Sequence, residues 1–198
     1  MAIKEKRREQ ILGSALEVFA EKGYHASGVA DILDHAGISR GTFYLYFESK
    51  RQVFDELLAD LLAQVQEVLK PIDLADPHRT VHQQLRDNCV AILTRLFGRP
   101  ALARVILAEA AGVDADVDRR LEAFYDEVIS LLSETLAFGQ AVGMVRDLDP
   151  QLVAMCIVGS VKELIYQHVL RDRASVDIER LANAVLDYNL HGIIKARP

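Results

Sequence analysis

At 198 residues, 51% hydrophobic and 26% charged, the chain has the composition of a folded protein and the length for one sizeable core or two small ones. Cys89 and Cys156 stand alone, without metal-ligand spacing, which excludes a disulfide scaffold and fits a reducing cytoplasm. The charged start "MAIKEKRREQ" is not expected to be a signal peptide, and the uncharged runs are shorter than the ~20 residues that span a bilayer.

Helical periodicity runs throughout, and no segment alternates like a strand. Ile11, Ala15, Val18 and Phe19 form one apolar stripe that Gly23 stops. Ser27 is positioned to cap a second helix bearing Val29, Ile32 and Leu33. "AGIS" at 36–39 breaks that helix, with Gly37 supplying the positive φ of a tight corner. Ser39 caps a third helix over 40–47. Ser49 caps a fourth, which reaches Leu69 with Val53, Phe54, Leu57, Leu58, Leu61 and Leu62 at helical spacing. Further helices are predicted at about 79–97, 100–111, 116–142, 150–171 and 176–195, with Pro100 and Pro150 suited to first turns. The fold expected is all-α, of about nine helices, with no internal repeat.

Charge is spread unevenly along this order. Residues 1–51 carry a net +1 and the other 147 carry −7, the early basic groups gathering at Lys4–Arg8 and around 40–51. A helix, a glycine turn and a short second helix form a helix-turn-helix, so this local positive balance is compatible with a DNA-binding face. At about 100° per residue from Arg40, Phe43, Tyr46 and Phe47 face inward, while Gly41, Thr42, Tyr44 and Leu45 face out. The inward rings anchor a helix too short to stand alone. On the outward side, Arg40 suits a bidentate guanine contact and Thr42 a base edge or phosphate. Tyr44 presents a ring and a hydroxyl, Leu45 a surface for a thymine methyl, and Lys50 a phosphate clamp at the start of the fourth helix.

The stretch from "RREQILGSALEVFAEKGYHASG" to "GTFYLYFESKRQVFDELL" resembles the DNA-binding region of TetR-type (tetracycline-repressor-like) regulators. The resemblance rests on "F-x-x-K-G-Y", "D-I-x-x-x-A-G-I-S" and "G-T-F-Y-x-Y-F-x-S-K", and covers residues 4–64, with the helix-turn-helix at about 28–47. It implies DNA contacts from Ser27, Ser39, Arg40, Gly41, Thr42, Tyr44, Leu45, Tyr46 and Lys50. Gly28 and Ala30 stand where family members often carry Ser or Thr and a polar or basic residue, so the second helix is not expected to supply base contacts.

For residues 70–198 the resemblance implies an effector-binding and dimerisation domain. The last two helices are rich in small and aliphatic residues, and Gly159 and Ser160 permit close helix approach. Gly159, Ser160, Leu181, Val185 and Tyr188 are the expected dimer contacts. Phe97, Ile106, Phe124, Phe138, Met155 and Tyr166 are the expected apolar lining of an effector pocket, with Glu109 and Glu163 as acids in apolar surroundings. Coupling is expected through the fourth helix, Ser49 to Leu69.

No zinc, nucleophile or phosphate-loop pattern appears, so neither an enzyme nor a cofactor is expected. The reading is a cytoplasmic homodimer, binding double-stranded DNA at a near-palindromic operator and released by a small, largely apolar effector, with no membrane partner. The alternative is an interaction protein of the same fold with weak or non-specific DNA binding. Gly28 and Ala30 favour it; Arg40, Thr42, Tyr44 and Lys50 oppose it.

Overall fold

The computed structural model describes residues 2–108, 115–171 and 177–193, and among them every regular element is a helix. In chain order these are α1 (Ala2–Lys22), α2 (Val29–Ala36), α3 (Arg40–Tyr44), α4 (Lys50–Val68), α5 (Val81–Phe97), α6 (Pro100–Ala108), α7 (Ala115–Ala141), α8 (Pro150–Ile165) and α9 (Ile178–Ile193). A π-helical turn, Tyr166–Leu170, continues α8. The chain forms two compact units, one of residues 1–63 with 99–122 and the other of 64–98 with 123–198.

The first unit is built on four aromatic anchors. Phe19, Phe43, Phe47 and Phe54 are fully buried, with Ile11, Ala15, Ile32, Val53 and Leu57 filling the space among them. All but Phe47, which follows α3, come from the apolar stripe of their own helix, which is where most of a short helix's stability arises. The described residues of 99–122, a segment that sequence reading assigns to the larger domain, pack here. Leu102, Val105, Ile106 and Leu121 are buried, and α6 lies against α1. Arg99 pairs with Asp60 at 2.8 Å and Arg120 pairs with Asp55, so two carboxylates of α4 hold this segment from outside the core. Helical spacing reveals that α6 has an apolar face; it does not reveal which helix that face meets.

The second unit pairs α5 with α9. Arg86 on α5 donates to Glu179 at 2.8 Å and Asn183 at 3.0 Å on α9. Two buried amides on α5, Gln84 and Asn88, satisfy the backbone of the segment after α4. Asn88 accepts from the Lys70 amide at 3.0 Å and donates to the Lys70 carbonyl at 2.8 Å, and Gln84 makes the same pair with Asp73 at 2.8 Å each. Spaced one helical turn apart, they act as a short ladder for a loop with no secondary structure of its own.

Helix α8 begins as Pro150 predicts, with Asp149 accepting from the amides of Gln151 and Leu152. Leu152, Met155, Cys156, Gly159, Glu163 and Tyr166 are all exposed, and helical spacing places them along one side of the helix. Pro150–Val169 is the one described helical stretch long and apolar enough to cross a membrane, although Lys162 and Glu163 interrupt it; 17% of its apolar window is buried in the chain.

Candidate DNA-contacting face

The corner between α2 and α3 follows from local chemistry. Gly37 sits at φ 63°, ψ 38°, the left-handed conformation that ends α2, and the Ile38 amide returns to the Leu33 carbonyl at 3.1 Å. Ser39 caps α3: its Oγ accepts from the Thr42 amide at 3.1 Å and shares a proton with Thr42 Oγ1 at 2.9 Å. Regular α-helix ends at Tyr44, short of the expected 47. The Leu45 and Tyr46 amides turn to carbonyls three residues back, while Phe47 still bonds to Phe43. The tighter last turn drops Phe47 into the core beside Phe43, with ring centroids 5.9 Å apart.

That anchoring exposes the opposite side. Phe43 is 0% exposed, whereas Tyr44 is 50% and Leu45 77% exposed. Ser39, Arg40 and Gly41 are also exposed, and Thr42 and Tyr46 are half-buried. Seven of the residues implied by the resemblance therefore fall on one short stretch, 39–46, and share its outer surface. Tyr46, expected inward with Phe43 and Phe47, is instead half-buried. An exposed leucine beside an exposed tyrosine, on a helix held by two buried phenylalanines, is a surface that gains by being covered.

Two expected residues sit elsewhere. Ser27 does not cap α2: its side chain is buried and its hydroxyl donates to the Tyr24 carbonyl at 2.8 Å. Gly28 is the cap residue, and Asp31 reaches back to accept from the Gly28 amide at 2.7 Å, completing half of a capping box. The signal was present in the sequence as an acid three residues after Gly28. Lys50 also turns inward, donating to the Tyr24 carbonyl at 2.5 Å and the Ser27 carbonyl at 2.8 Å, with its ammonium 4.1 Å from the Tyr24 ring centroid. Beside it, Tyr24, His25, Ser49, Lys50 and Arg51 line an open cleft of about 480 Å³.

The basic N-terminus divides in the same way. Lys4 and Lys6 are exposed. Arg8 pairs with Glu56 of α4 and lies over the Phe47 ring at 5.7 Å. Burial pushes the Glu56 carboxyl above its usual range, and the Arg8 guanidinium opposes that shift. Sequence reading missed Gln10, whose side chain donates to the Ala36 carbonyl at 2.8 Å and satisfies the end of α2 from α1.

The described residues expected around an effector divide between the two units. Ile106 is buried in the first unit. Phe138, Met155, Glu163 and Tyr166 are exposed, and Glu163 accepts from Gln167 at 2.6 Å. Phe97 is half-buried against His168 and Phe124 against Tyr125. Glu109 lies outside the described residues. Of the expected dimer residues, Gly159 faces open space, the Ser160 hydroxyl donates to the Ile157 carbonyl, Leu181 is half-buried and Val185 buried. Tyr188 is 78% exposed.

Comparison with known proteins agrees with this geometry. Residues 11–57 match the family model described as bacterial regulatory proteins, tetR family. The chain is 29% identical over 194 residues to a fatty acid metabolism regulator protein of Bacillus subtilis, covering 96% of this chain and 98% of that one. It is 27% identical over 176 residues to the HTH-type transcriptional repressor DhaR of a Mycobacterium species, covering 86% of each. Its fold matches the crystal structure of the transcriptional regulator FadR from Bacillus subtilis in complex with stearoyl-CoA. That match has a TM-score of 0.75 and 28% identity, over 93% of this chain and 98% of that one. Residues 11–57, which contain α2, the Gly37 turn and α3, are a DNA-binding region of the tetR-family type, and the chain is a DNA-binding regulator of transcription.

Proposed function

We propose that the chain acts in the cytoplasm as a homodimeric repressor, holding a near-palindromic operator and releasing it when a small, largely apolar effector binds. The observation that carries the DNA reading is the contrast at the end of α3, where Phe43 is wholly buried while the cap residue Leu45, two residues on, is 77% exposed. One such helix offers few contacts. Two, placed about 34–36 Å apart, read successive major grooves of a two-fold site.

The uncovered face of α8 supports the dimer. Leu152, Met155, Gly159 and Tyr166 give it an apolar strip, and Gly159 leaves room for a close helix. Met155 and Tyr166 thus fit an interface better than a pocket. On α9, Tyr188 adds a further exposed ring.

An acyl thioester as effector, its acyl chain supplying the apolar part, is supported by the Bacillus subtilis fatty acid metabolism regulator protein and by the Bacillus subtilis FadR crystal structure, which holds stearoyl-CoA. Acting by population shift, such a ligand must prefer the DNA-free conformation by about 5.5 kcal/mol to move the equilibrium from 99:1 to 1:99.

Fluorescence anisotropy on an operator duplex tests this directly. Stearoyl-CoA is expected to release the DNA while free coenzyme A does not; release by neither overturns the acyl-thioester reading.

A further inference from the structure

The half-buried arginines Arg8, Arg86, Arg99 and Arg120 each pair with a carboxylate, as charges drawn from water require. Lys162 on α8 departs from this pattern. It too is half-buried, yet its ammonium lies over the ring of Tyr125 on α7, 4.7 Å from the centroid. Among the described residues no carboxylate pairs with it and no acceptor takes its N–H groups; the adjacent Glu163 is exposed and accepts from Gln167. The Tyr125 hydroxyl is in the same condition. Burial pushes that phenol up to about 12, so it stays an O–H donor, and no acceptor among the described residues takes its proton. The surface leading away from these two donors is apolar. Ile129 and Leu132 follow one and two turns along the Tyr125 face of α7, and Val158 lies one turn from Lys162 on α8; all three are half-buried. Ser133 meets the Pro150 carbonyl further along, so the two helices run antiparallel and the three aliphatics lie between the two contacts.

We infer that Lys162 and Tyr125 form an anion subsite, which holds the acidic head of an effector whose apolar chain lies along Ile129, Leu132 and Val158. The chemistry recognised is an oxyanion, carboxylate or phosphate, carried on a long acyl chain. An ammonium and a protonated phenol give it charge-assisted hydrogen bonds, from which an uncharged head gains far less. The inference rests on the acyl-effector reading proposed above, and its test separates the two.

Isothermal titration calorimetry on the full chain measures affinity for stearoyl-CoA, stearate and the uncharged octadecanol. The unmodified chain is compared with Lys162→Met, Lys162→Arg and Tyr125→Phe. As a subsite, at least one anionic probe binds more tightly than octadecanol. Lys162→Met weakens that probe about tenfold or more, and Lys162→Arg, which keeps the charge, restores most of the affinity. Tyr125→Phe keeps the ring and removes only the hydroxyl, weakening the same probe about fivefold. Octadecanol binding changes little in any variant. Stearoyl-CoA bound equally by the unmodified chain and Lys162→Met overturns the subsite and leaves the thioester reading standing. Stearate held through Lys162, with no binding of stearoyl-CoA, keeps the subsite and overturns the thioester. Octadecanol bound as tightly as either anion overturns the subsite, and binding of no probe overturns both. If Lys162→Met does not fold, Tyr125→Phe decides: weaker binding of the anion alone supports the subsite, and unchanged binding overturns it.

Discussion

Phe43 and Leu45 stand two residues apart and should fail in opposite ways when truncated to alanine. Phe43 is fully buried, with ring partners Tyr44 and Phe47 at 5.4 and 5.9 Å. Phe43→Ala loses both burial and packing, at a cost of about 3–5 kcal/mol, a large share of the ~5–15 kcal/mol that holds a typical domain together. Leu45 is 77% exposed, so Leu45→Ala leaves stability within about 0.5 kcal/mol. Its cost appears on DNA. Covering most of a leucine against a thymine methyl contributes about 1 kcal/mol per half-site, below the full burial value because the groove stays partly wet. A dimer loses this twice, so operator affinity should fall about thirtyfold. Urea denaturation followed by circular dichroism measures the first quantity and fluorescence anisotropy the second. If Leu45→Ala lowers stability by more than about 1 kcal/mol, or leaves operator affinity unchanged, the inside–outside assignment of α3 is wrong.

Three further outcomes follow from particular side chains. Met155→Glu places a charge on the apolar strip of α8 and should yield a monomer by light scattering; Cys156, exposed on the same strip, should then react faster with a maleimide than in the dimer. Asn88→Leu removes both partners of the Lys70 backbone and should cost about 1–2 kcal/mol in urea denaturation; an unchanged midpoint would show that the ladder adds nothing. Burial holds the folded Glu56 carboxyl above its usual 4.5, so its contribution to stability is greatest at acid pH and is lost as pH rises through the raised value. Glu56→Gln removes that loss, and its Tm relative to the unmodified chain should therefore increase between about pH 4 and pH 7. A constant difference would refute the sign.

Sequence made the head legible because its signals are local. Gly37, Ser39 and Ser49 act within three or four residues of themselves, and each does in the fold what its residue type suggests: Gly37 takes the left-handed turn, Ser39 caps α3, and Ser49 Oγ accepts from the Gln52 amide at 3.2 Å. The inward–outward division of α3 is equally local, being set by the angle between successive residues. Where the fold gives a side chain or segment a partner the sequence did not show, that partner was distant. Lys50 is a surface cation by composition, and only the tertiary fold brings two carbonyls more than twenty residues away within its reach. Ser27 is a good cap by type, but the Tyr24 carbonyl competes for its hydroxyl. Helix α6 carries an apolar face whose mate, α1, lies far back in the chain. The effector candidates were not legible for a related reason: a large apolar residue at helical spacing looks the same whether it fills a core, lines a pocket or awaits a second subunit.

Selection of bound sequences from a random duplex pool, at two salt concentrations, tests the central claim most directly. The account predicts enrichment of a near-palindrome with half-sites one helical turn apart, retained at the higher salt because base contacts from α3 supplement the phosphate contacts. Recovery of no consensus at either salt, with binding that simply disappears as salt rises, would contradict it and leave a helix-turn-helix fold that does not read sequence.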